Sequence, residues 1–167
     1  MAAGEVVAAD ALRRIELSGP AGLGVLPLGA RAVVDDGSRD PVGPPAERGE
    51  LLAAMLAADG RPVVVDCGVG PRGAGLSVAA AASVSLLVLR PCYLALRRAM
   101  AAPVRPSGIV LVDEPGRALG RADVEDVLGV PVRAVVAVES AVARAVDAGL
   151  IASRLPRSLE RSLRHAA

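Results

Sequence analysis

The sequence predicts an α/β fold, a mainly parallel five-stranded sheet with helices on both faces. Three observations predict it. The runs Val63-Val64-Val65, Leu86-Leu87-Val88-Leu89 and Ile109-Val110-Leu111-Val112 have no polar face, the pattern of parallel strands buried on both sides. Two of these runs end in an acid, Asp66 and Asp113, and turn residues follow at once. Stretches with helical patterning alternate with the runs, which argues a layered α/β arrangement. At 167 residues the chain reads as a single domain, 1–167, large enough for a core and without internal repeats.

Taken in order, Glu5 to Leu17 carries Val6, Val7, Leu12 and Ile15 around Arg13 and Arg14, a short amphipathic helix ended by Ser18-Gly19-Pro20. Leu23 to Leu28 reads as a short strand, which Pro27 limits to an edge or a strand end. Residues 29–45 form a long loop, since Asp35-Asp36-Gly37-Ser38 and Pro41, Pro44 and Pro45 leave nothing periodic. Ala46 to Ala58 is a helix with Leu51, Leu52, Met55 and Leu56 on one stripe and Asp59-Gly60 at its end. Arg61 to Asp66 is the second strand, and Leu76 to Ser83 an Ala-rich helix.

Ser85 to Arg90 is the third strand, and Pro91 opens a helix from Cys92 to Met100. Gly108 to Asp113 is the fourth, and Asp123 to Leu128 a short helix closed by Gly129. Val132 to Val138 is the fifth, with Ser140 to Ala148 its helix. Leu155-Pro156 leads into a basic amphipathic helix within 154–167.

Composition bounds the chemistry. The chain is 53% hydrophobic with mean hydropathy +0.48, yet its apolar runs break well before the ~18–20 residues a spanning helix needs. Its start carries Glu5 and Asp10 without a basic segment, so a cytoplasmic protein is expected. A net charge of +1 provides no global field toward nucleic acid or membrane. There is no Lys, Thr, Asn, Gln, Phe or Trp, and all nineteen basic residues are Arg, so chemistry that needs a lysine amine is excluded. Cys67 and Cys92 have no CxxC pair or His cluster for a metal site and read as reduced, buried thiols. His165 is the only histidine and Tyr93 the only aromatic residue, which disfavours Ser-His-Asp catalysis and base-stacking platforms.

The stretch around Asp66 has two readings. Open α/β sheets bind ligands at the carboxyl ends of their strands, so Asp66 stands where a Mg²⁺-nucleotide site would be built. Alternatively, Asp66 only caps the turn and the helix after it. Asp113-Glu114 and Asp35-Asp36 read as turn and solvated residues.

The order of these segments carries a resemblance. Asp66-Cys67-Gly68 is followed by Ser85 to Pro91 and Gly108 to Asp113, then by Asp123-Val124-Glu125-Asp126-Val127-Leu128-Gly129-Val130-Pro131-Val132 and Val142-Ala143-Arg144-Ala145-Val146-Asp147-Ala148-Gly149. Over roughly residues 20–155 this resembles the MinD/ParA group of deviant-Walker P-loop ATPases. The resemblance implies a truncated P-loop NTPase-like sheet, with Asp66 at the Walker B position and Gly68 as the switch glycine after it. The family's phosphate loop, where backbone N–H groups and lysines cradle phosphates, has no counterpart before Asp66. Gly19-Pro20-Ala21-Gly22-Leu23-Gly24 is interrupted by a proline and followed by no Lys-Ser/Thr pair. Phosphoryl transfer depends on positioning and neutralising the β/γ-phosphates, so neither ATPase activity nor a bound cofactor is expected.

Without the family's P-loop strand, the Asp66 strand would have an unpaired apolar edge, which invites another chain. The expected function is therefore a catalytically inactive scaffold, adaptor or positioning protein, partnered by a second copy of itself or by another subunit. One alternative is a nucleotide-binding ATPase whose phosphate loop comes from another chain or an upstream segment. Another is a module that binds DNA or a membrane surface through Arg154, Arg157, Arg161 and Arg164, which step by 3, 4 and 3 onto one helical face opposite Leu155, Leu159 and Leu163. Burying three leucines yields on the order of 5 kcal/mol before ordering costs, and the same leucines could pack on the sheet instead.

Overall fold

The computed structural model describes residues 11–27 and 46–164. Contacts group the chain into two units, Met1–Ala82 and Ser83–Ala167.

In the first unit, α1 is described over residues 11–15 and gives way to β1, Leu17–Ser18. A short 3₁₀ turn at Pro20–Gly22 then folds β2, Gly24–Val25, back onto β1. The pair is antiparallel, with Leu17 opposite Val25 and Ser18 opposite Gly24. Pro20 presets the turn, and the Gly19 N–H closes it by donating to the Leu23 carbonyl at 2.7 Å. Leu17 thus belongs to a strand, not to the helix expected to reach it. Residues 5–10 of that helix and the 29–45 loop lie outside the described residues.

Helices α2, Ala46–Ala58, and α3, Gly73–Ala81, pack against each other. Their approach is set by Gly49, which is buried and faces the Ala74 backbone so closely that a Cβ would collide with it. Ser77 reinforces the contact by donating from Oγ to the Ala46 carbonyl at 3.1 Å.

The second unit is built from β3, Leu86–Leu89; α4, Tyr93–Met100; β4, Gly108–Asp113; α5, Arg121–Leu128; β5, Val132–Ala137; α6, Ser140–Asp147; and α7, Arg157–Leu163. Its sheet has the order β3-β4-β5, all parallel, with Leu87 beside Ile109, Leu89 beside Leu111 and Ile109 beside Val132. Strand alternation places Leu87, Leu89, Ile109 and Leu111 on one face, where Leu96 of α4 and Val124 of α5 close over them. Ile109 and Val124 are fully buried there.

Polar bonds fix α5 on that layer. The Val132 N–H donates to Glu125 Oε1 at 2.7 Å, and Arg121 Nη2 donates to the Val132 carbonyl at 3.0 Å. The amide bond holds the Glu125 carboxyl below its ordinary value. Gly129 ends α5 at φ +60°, a left-handed turn that glycine adopts without a Cβ penalty, and its carbonyl accepts from Arg105 Nη2 at 2.8 Å.

The single five-stranded parallel sheet is not formed. The described strands make one two-stranded antiparallel sheet and one three-stranded parallel sheet. The expected Leu23 to Leu28 strand is reduced to β2, because closing a short hairpin onto β1 costs far less chain entropy than a distant parallel pairing. The expected Arg61 to Asp66 segment forms no strand, and none of its residues makes a backbone–backbone hydrogen bond with the described residues. Its β-branched residues favour a strand, whereas a ladder also requires a partner edge. Among the described residues no helix is long and apolar enough to cross a membrane.

Candidate functional site

The segment that contains Asp66 is anchored at its start by charge. At the end of α2, Asp59 Oδ1 accepts from Arg13 Nε at 3.2 Å and Nη2 at 3.1 Å, while its Oδ2 accepts from Arg61 Nε. Arg61 also takes the Glu16 carboxylate with both terminal nitrogens, Nη1 at 3.0 Å. A bidentate guanidinium grip of this kind has a defined geometry, unlike a loose surface pair. The Arg61 bonds hold the Glu16 and Asp59 carboxyls below their ordinary values, and the two carboxylates push the Arg61 pKa up. None of this network was legible as a motif, because its two halves, Arg13 with Glu16 and Asp59 with Arg61, sit about 45 residues apart in sequence and meet only through the fold.

Beyond Arg61 the chain continues through Pro62 and the three valines without regular secondary structure. With the described residues, Val63, Val64 and Val65 make no backbone hydrogen bond, and all three side chains are exposed, Val64 at 99%. This overturns the expectation of a strand buried on both sides. Asp66 follows, also exposed, and its Oδ1 accepts from the Gly68 N–H at 2.9 Å. Gly68 takes φ +71°, which the turn needs and a side chain would resist. The structure thus joins Asp66 and Gly68 in one aspartate-capped turn, while α3 starts at Gly73 after Arg72 with no side-chain cap, so Asp66 does not cap the helix that follows. Burial, with the Asp66 charge beside it, pushes the Cys67 thiol up, away from the reactive thiolate form. Among the described residues no group of three or more His, Cys, Asp or Glu could hold a metal ion.

At the carboxyl ends of β3 and β4 the second unit has a cluster that sequence reasoning treated as solvated. Glu114 pairs with Arg90 at 3.0 Å and with Arg117, whose Nε donates at 2.8 Å. Arg117 holds the Glu114 carboxyl below its ordinary value. Two guanidiniums share one carboxylate, so the cluster ties the strand ends together and retains a positive charge. The available signal was positional: Arg90 ends one apolar run and Glu114 follows the next.

The four arginines of the C-terminal segment are all exposed. Arg157 and Arg161 lie on α7, Arg154 in the turn before it and Arg164 at its end. Arg164 donates to Glu160 at 3.2 Å. The helix packs against β5, and Ser158 Oγ donates to Glu139 Oε2 at 2.8 Å. Leu159 is half-buried, while Leu155 and Leu163 stay exposed.

The sheet face opposite the α4–α5 layer is covered unevenly. Val110 and Ala134 are buried and Val136 packs against them. Leu86 and Val88, on the same face of the edge strand β3, are exposed, Val88 at 62%. No charged residue occupies β3, whereas β5 at the other edge carries Arg133. No protein-family model, curated protein or solved structure matches this chain.

Proposed function

We propose that this chain is a catalytically inactive, MinD/ParA-like scaffold, adaptor or positioning protein of the cytoplasm, acting through protein–protein contacts. Its partner is a second copy of itself or a different subunit. The observation that carries this reading is the valine segment: three consecutive exposed apolar side chains, Val64 at 99%, on a stretch that makes no backbone–backbone hydrogen bond with the described residues. Unpaired backbone with an apolar surface is a template for another chain. Leu86 and Val88 on the uncharged edge strand add a second apolar area of the same kind. The MinD/ParA reading rests on the sequence resemblance over roughly residues 20–155. Loss of catalysis is supported by the absence of any lysine and by the use of the Asp66 carboxylate in its own turn.

Hydrogen exchange on the full chain tests the contact. The amides of Val63, Val64 and Val65 are expected to be protected, increasingly so as protein concentration rises. Exchange at free-peptide rates at every concentration would remove the basis of the proposal.

A further inference from the structure

We draw no further inference here: the strongest candidate, the uncharged outer edge of β3 with Leu86 and Val88 exposed beside it, belongs to the contact surface already described, and nothing in the structure shows what covers it.

Discussion

Arg61 shows how a single side chain organises the first unit. It holds Asp59, at the end of α2, and Glu16, just before β1, so the hairpin and the helix share one cation. Replacement by methionine retains much of the stem but removes both grips. The Arg61→Met variant is expected to melt a few degrees lower at neutral pH. The pH dependence follows from the two carboxyls, which titrate below their ordinary 4.5 and 3.8. Because their folded pKa values are depressed, the stabilisation is fully present above the unfolded values and lost as pH falls through the folded ones. Thermal melts should therefore separate wild type from Arg61→Met at pH 7 and bring them together well below pH 4. A difference that persists into acid would mean that Arg61 acts through packing rather than charge.

Among the elements, the layer of α4 and α5 over the sheet holds the second unit together. Leu111 is 2% exposed and lies in one cluster with Ile109, Leu96 and Val124. Leu111→Ala leaves a cavity in that cluster, and a loss of about 2–5 kcal/mol is expected in denaturant unfolding. A loss below about 1 kcal/mol would show a layer looser than these burials indicate. These elements were also the most legible ones in the sequence. Leu86–Leu89, Gly108–Asp113 and Val132–Ala137 are strands almost where the apolar runs place them, because the face packed under α4 and α5 leaves little choice of register. The helix Ala46–Ala58 begins and ends as its stripe and its Asp-Gly stop signal predict.

The valine run misled for an instructive reason. Composition favours a strand there, but specifies neither the neighbour nor the burial that a strand requires. In the candidate site, the turn at Asp66 and Gly68 was legible because its chemistry is local. The ion network of Arg13, Glu16, Asp59 and Arg61 and the Arg90–Glu114–Arg117 cluster were not, since each depends on residues that only folding brings together.

At the scale of the molecule, two consequences of the proposed function can be measured. The first concerns nucleotide. With no lysine in the chain and with Asp66 Oδ1 bonded to the Gly68 amide, calorimetric titration with Mg-ATP should show no binding at micromolar concentration. Micromolar binding that Asp66→Ala abolishes would instead place Asp66 in a working nucleotide site. The second concerns assembly, which is central to the proposal. The proposal puts the contact on exposed apolar surface at Val63, Val64 and Val65, and the commonest closed assembly of identical chains is a two-fold dimer.

Light scattering of the purified chain at micromolar concentration, beside a Val64→Asp variant with an unchanged circular dichroism spectrum, tests this most directly. The wild type should have at least twice the chain mass, and the variant should shift toward a single chain. A well-behaved wild-type monomer, or an assembly that Val64→Asp leaves intact, would contradict self-association through the valine segment.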